Sequence, residues 1–210
     1  MARFSTRMPP SAGIGRPPGP MPIVSPSSGV ASNSNIAGRR RSPAAISIFW
    51  TLTERALDLA FARFSSVDKA LKPKLLGAYL ALDAFPDARA ILRDLKARGD
   101  ATAILSNGSP KMLAAAVEAA GIGRHLDAVL SVDAIRLYKP RPEVYALVTE
   151  RFKIAPGEAV FVSANRWDVM GAAAFGFHTA WINRAHLPAE YEPAPDATLT
   201  DLNELITMAP

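Results

Sequence analysis

The 210-residue chain has no cysteine, so disulfides and thiolate metal sites are excluded and the redox compartment cannot be read. Its three histidines, His125, His178 and His186, are scattered and lack the helical spacing of a metal site. No apolar run approaches the ~18 residues of a membrane span. Residues 1–45 contain no acidic residue but carry Arg3, Arg7, Arg16, Arg39, Arg40 and Arg41. The formal charge of +5 is therefore +6 in this segment and 5 − 6 = −1 over the remaining 165 residues. A near-neutral remainder gives no basic face, so neither a nucleic-acid nor a membrane partner is expected.

What is present changes character near residue 45. The first 45 residues hold eight of the 18 prolines and almost no hydrophobic periodicity. Such a segment buries too little apolar area to offset its ordering entropy, so disorder is expected there. Its Arg-rich, Ser-rich composition also fits an organelle transit peptide, and a wrong start or frame error would give the same appearance. The three readings stay open, and a cytoplasmic location is the default only if the tail is not a targeting segment. From Thr51 the pattern is helical: TLTERALDLAFARF places Leu52, Ala56, Leu59 and Phe64 near one face. ALKPKLLGAYLALDAF continues the helical theme, with Pro73 as an interruption or first turn, and DARAILRDLKARG ends at Gly99.

Beyond Gly99 the rhythm is strand, loop, helix. ATAIL reads as a buried strand, Ser109 caps a helix begun by Pro110, and Gly121 closes it. DAVLSVD, AVFVSAN and HTAWINR are further strands, separated by the helices PEVYALVTERF and WDVMGAAAFG. Apolar strands alternating with helices predict an α/β fold with a parallel sheet covered on both faces. Ligands of such sheets bind beyond the strands' carboxyl ends, where Ser106, Asn107, Lys139, Ser163, Asn165 and Asp168 fall.

Each group has a bland explanation. Ser106-Asn107-Gly108 before a helix would cradle an anion, yet these are ordinary turn residues. Lys139, held by Pro140 and Pro142, would fix a carboxylate, or is a solvated lysine before a helix. Asp168 at a helix start is explained by the dipole alone, and Trp167 by the core. Capping does not explain Ser163 and Asn165.

Taken together, Ser106-Asn107-Gly108, Lys139-Pro140 with Tyr145, and Ser163-Ala164-Asn165-Arg166-Trp167-Asp168 resemble the later motifs of the haloacid dehalogenase superfamily, in its type II (S)-2-haloacid dehalogenase branch. The resemblance runs from about Phe49 to the C-terminus and includes FWTLTERALDLAF, AILSNGSPKML and WINRA. Lys-Pro is common to the whole superfamily, whereas Ser-x-Asn-x-Trp-Asp discriminates. The resemblance implies a Rossmann-like parallel sheet with a small helical cap, divided as a tail over 1–45, a partial cap over 46–84 and a core over 85–210. It implies hydrolysis of a 2-haloacid to a 2-hydroxyacid and halide through an aspartyl ester, with inversion. Ser106 would then hold the substrate carboxylate, Asn107 the departing halide, and Lys139, supported by Tyr145, would balance the carboxylate charges. Ser163, Asn165 and Asp168 would position and activate water, with Asp168 as base and Trp167 lining the pocket. Relatives of this kind are often dimers built through the cap.

Metal and nucleophile set this chain apart within that resemblance. Phosphatases of the superfamily hold Mg²⁺ with carboxylates from the first and last motifs. Here the last motif offers Ala164 and Asn165 with only Asp168 acidic, so no metal or other cofactor is expected and a phosphatase is the weaker alternative. The family opens on a strand ending in Asp-x-Tyr-Gly-Thr, but no aspartate precedes Asp58. The nucleophile and the halide-binding arginine find no match, which favours impaired turnover or a non-catalytic, small-anion-binding relative. The sheet is expected to have a gap or a makeshift strand at its centre, with MPIV and AISIF as the available short strands.

Overall fold

Three Ser, Pro and Gly signals punctuate the α/β region, and each marks the end of an element in the structure. The structure is a computed structural model that describes residues 2–4, 22–24 and 49–208. Ser109 accepts from the Met112 N–H at the start of a helix with Pro110 in its first turn, and Gly121 ends that helix at φ 63°. In chain order the elements are strands β1 (Ala2–Phe4) and β2 (Pro22–Val24), then helices α1 (Phe49–Arg63), α2 (Lys72–Ala78) and α3 (Pro86–Ala97). They continue with β3 (Thr102–Ser106), α4 (Pro110–Ala120), β4 (Ala128–Ser131) and α5 (Pro142–Phe152). The last are β5 (Ala159–Ser163), α6 (Arg166–Phe175), β6 (His178–Ile182) and β7 (Ala197–Leu199).

Strands β4, β3, β5, β6 and β7 run parallel, in register from Ala103–Ala128 on one side to Ile182–Leu199 on the other. Strands β3 and β5 are buried along their whole length, as expected of strands with helices on both faces. On one face Ile104, Val162 and Ile182 pack with Leu92, Leu95 and Leu113 of α3 and α4. On the other, Leu105 and Phe161 pack with Val144, Tyr145 and Val148 of α5. The carboxyl ends of β3 and β5 are thus held rigidly from both sides, and the chemistry-bearing loops leave from those ends.

Between β3 and β5 lies the slot where a gap or makeshift strand was expected. It holds two three-residue strands: β2 pairs parallel with both neighbours, and β1 pairs antiparallel with both. Expected strand MPIV is β2, whereas AISIF runs outside the described residues until Phe49 opens α1. Neither ARF nor PIV contains a carboxylate. Most of the tail for which disorder was expected lies outside the described residues, and the six that are described form these strands instead.

Two helical expectations are corrected in the 49–85 segment. Along α1 the buried residues are Thr53 and Phe61, while Leu59 and Phe64 of the expected face are 62% and 59% exposed. The helix foreseen through ALKPKLLGAYLALDAF stops at Ala78, with Pro73 in its first turn. Farther on, Asp87 in the first turn of α3 binds Arg184 Nη2 at 2.6 Å and the Leu202 N–H at 2.8 Å, tying that helix to the C-terminal segment. Among the described residues no helix is long and apolar enough to cross a membrane.

Candidate active site

Asp168 lies in the first turn of α6, where a carboxylate commonly serves only the helix end. Here both of its oxygens are engaged by side chains from other elements. Oδ1 accepts from the Tyr145 hydroxyl at 2.9 Å, and Oδ2 accepts from Lys139 Nζ at 3.0 Å and from Ser163 Oγ at 3.3 Å. The Tyr145 hydroxyl also lies 3.1 Å from the Asp168 carbonyl oxygen. Three segments distant in sequence, the β4–α5 loop, α5 and the end of β5, therefore converge on one carboxylate.

The cluster is dry. The Lys139 and Asp168 side chains are 2% and 1% exposed, and Tyr145 is fully buried. Burial pulls the Lys139 ammonium below its usual pKa, with the Asp168 charge acting against that shift. The Tyr145 phenol is pushed well above its ordinary value, first by burial and then by the adjacent Asp168 charge. Both causes favour the neutral, donating phenol. Lys139 Nζ also sits 4.9 Å from the centre of the Phe161 ring, so the ammonium has an aromatic face beneath it.

The remaining expected residues form a second layer. Asn107 Oδ1 accepts from the Lys139 backbone N–H at 3.1 Å, joining the β3 loop to the lysine loop. Ser106 Oγ accepts from the Gly108 N–H at 3.0 Å, and Ser131 Oγ donates to the Gly108 carbonyl at 2.7 Å. Ser163 Oγ also accepts from the Asn165 N–H at 3.1 Å, so Asn165 enters the cluster through its backbone. Trp167 is half-buried one residue before Asp168.

Three participants were not singled out from the sequence. Gly171 faces the cluster from α6: a Cβ there would lie 2.5 Å from both the Pro140 Cβ and the Tyr145 hydroxyl. Only glycine lets α6 approach this closely, and the GAAAFG run gives no local sign of it. Phe49, at the start of α1, places its ring 6.3 Å from Tyr138, next to Lys139. Arg166, 6% exposed, donates through Nη2 to the Tyr191 and Pro193 carbonyls and so holds that loop to the Ser163–Asp168 turn.

Tyr138 itself titrates abnormally: burial, and secondarily the Asp133 charge, push its pKa up to about 12. The fold thus favours the neutral phenol. That contribution is complete below pH ~10, the ordinary tyrosine value, and is lost as pH rises toward 12. Subtracting the alkaline absorbance titration of Tyr138→Phe from that of the unaltered chain will leave one phenol ionising near pH 12. Ionisation near pH 10 in that difference would show Tyr138 to be freely solvated.

Similarity to known proteins shows the family. Residues 38–176 match the haloacid dehalogenase-like hydrolase family. The chain belongs to that family. It is 48% identical to (S)-2-haloacid dehalogenase 1 of Pseudomonas sp. (strain CBS-3) over 159 residues, covering 75% of this chain and 70% of that one. It is 47% identical to (S)-2-haloacid dehalogenase 4A of Burkholderia cepacia, of which it spans 64%, just under two thirds. Among solved structures, a dehalogenase with an intermediate complex superposes at TM-score 0.78 and 40% identity, covering 82% of this chain and 77% of that one. The L-2-haloacid dehalogenase of Xanthobacter autotrophicus with chloropropionic acid covalently bound superposes at 0.68 and 35% identity, covering 78% of each chain. This haloacid dehalogenase-like chain shows no cluster of three or more metal-ligating side chains among its described residues.

Proposed function

We propose that this chain carries the anion-anchoring and water-activating side of an (S)-2-haloacid dehalogenase site, and that it binds 2-haloacids but turns them over poorly. The observation that supports it best is the buried Lys139–Asp168 pair with Tyr145 and Ser163 on the same carboxylate, in a chain 48% identical to such a dehalogenase. In this reading Lys139 balances the substrate carboxylate, which Ser106 holds, and Asn107 meets the halide. Asp168, positioned by Lys139, Tyr145 and Ser163, takes a proton from water, Asn165 helps to orient that water, and Trp167 lines the pocket. No metal or cofactor takes part, because displacement of halide at carbon needs no cation on a phosphoryl group. The reading includes a cytoplasmic location and a pairing of two copies through the cap segment, where Leu59 and Phe64 are exposed.

Poor turnover follows from the charge inventory. Residues 1–53 contain no aspartate or glutamate, and the strands in the central slot end without a carboxylate. Covalent displacement needs a nucleophile there, and the water-activating groups act only on an ester already formed. Chloride release from (S)-2-chloropropionate is expected to be slower than that of the Pseudomonas relative by on the order of 10³-fold or more. Calorimetric binding of the same acid is expected to persist and to be lost in Lys139→Ala. Rates matching the relative would overturn the impaired-turnover reading. Absence of binding would overturn the anion-anchoring one.

A further inference from the structure

Mainly on the opposite face of the sheet from Tyr145 and Lys139 lies a cavity of about 520 Å³, which Ser163 and Ala164 at the carboxyl end of β5 also border. Its floor is Ile104, Val162 and Ile182, and its walls are α3, α4, the segment from Ala78 to Phe85 and the segment from Asn183 to Leu187. The space has a sequence cause. Ala88 on α3 and Ala116 and Ala120 on α4 face it, and the alanines that favour helix formation leave volume that leucine would fill. Cavities of roughly 300–1,000 Å³ lined by apolar groups with a few polar ones are where small molecules bind.

The polar groups define the ligand. Arg184 at the rim is already held by Asp87 at 2.6 Å and lies 4.5 Å from the Phe85 ring centre. Asn183 is engaged with Leu187 through both ends of its amide. Asp83 is the other charge on the lining, so the lining as a whole carries no net charge. Tyr79, half-buried, is also on the lining, and burial raises its pKa, which favours the neutral, donating phenol. We propose that this cavity binds a neutral, largely hydrocarbon molecule of about ten to twenty non-hydrogen atoms that offers one hydrogen-bond acceptor to the Tyr79 hydroxyl. A 2-haloacid, small and anionic, belongs to the other face. Lys139, Tyr145 and Asp168 do not line it, so the second site is tested separately from the haloacid reading, although Ser163 borders both.

The neutral two-ring ketone 6-propionyl-2-dimethylaminonaphthalene tests this, because its emission shifts to the blue in apolar surroundings. Titrated into the full chain, it is expected to bind saturably, one molecule per chain. Ala116→Phe and, separately, Ala88→Leu fill the cavity and are expected to weaken binding by at least about tenfold. Circular-dichroism melting of each variant confirms that it is folded, and either folded variant suffices. Tyr79→Phe is expected to weaken binding by roughly two- to tenfold, the loss of one hydrogen bond. Leu59→Ser with Phe64→Ser, at the exposed side and end of α1, is expected to leave it unchanged. Non-saturable binding, or affinity that survives a folded cavity-filling variant, would overturn the proposal, as would loss of affinity in the α1 pair.

Discussion

Lys139→Met will cost about 3–5 kcal/mol of folding stability, a large part of the ~5–15 kcal/mol that holds a domain together. The reason is what it leaves behind rather than the contact it removes. Asp168 is 1% exposed, and without the ammonium at 3.0 Å its charge stays in a buried interior, with the neutral Tyr145 and Ser163 donors in place of a cation. Urea unfolding should show a lowered midpoint with little change in slope, because the surface exposed on unfolding is nearly the same. The double variant Lys139→Met with Asp168→Leu removes both charges and should recover much of the loss, since buried ion pairs are weakly stabilising against apolar replacements. If the single variant costs less than ~1 kcal/mol, the pair is solvated in solution and the buried ion pair described above is wrong.

Gly171→Ala is the second large effect, expected at about 1–3 kcal/mol, with Gly171→Val costing more. A single methyl here would stand 2.5 Å from the Pro140 ring carbon and from the Tyr145 hydroxyl. Neither neighbour can yield freely. Pro140 is rigid and follows Lys139, while Tyr145 is wedged edge-on against Phe161 and Phe177, at centroid distances of 5.6 and 6.1 Å. The added atom therefore pushes α6 away from the sheet and carries Asp168 with it. Thermal melting will read the stability loss, and the calorimetric affinity for 2-chloropropionate should fall in parallel. By contrast Gly77, whose Cβ would meet nothing within 4 Å, should accept alanine without loss. Equal tolerance at the two glycines would contradict the close approach of α6.

How much of this was legible depended on whether the signal was local. Ser109-Pro110 and Gly121 bracket α4 because caps act within one turn, and the sequence alone located that helix. The β5 run AVFVS, apolar throughout, likewise announced a strand buried on both faces. Strand β7 was missed: three residues show no usable alternation, and its place depends on Asp196 accepting from the Thr179 N–H at 2.6 Å across the sheet. The face of α1 was misjudged because Leu59 and Phe64 fit the helical period, yet both are left mostly exposed. At the site, residue types and order pointed to Lys139, Tyr145, Ser163 and Asp168. Which atoms meet was not readable, because the Asn107–Lys139 link and the Phe49–Tyr138 contact join segments that only the tertiary fold brings together.

The ties from Asp87 to Arg184 and to the Leu202 N–H reach 97 and 115 residues ahead in the chain. On a translating ribosome α3 emerges long before either partner exists. Its apolar face, with Ile91, Leu92 and Leu95, must then wait beside an unfinished sheet. Contacts this remote make closure a late event, and chaperone demand should be greatest while the second half of the chain is being made.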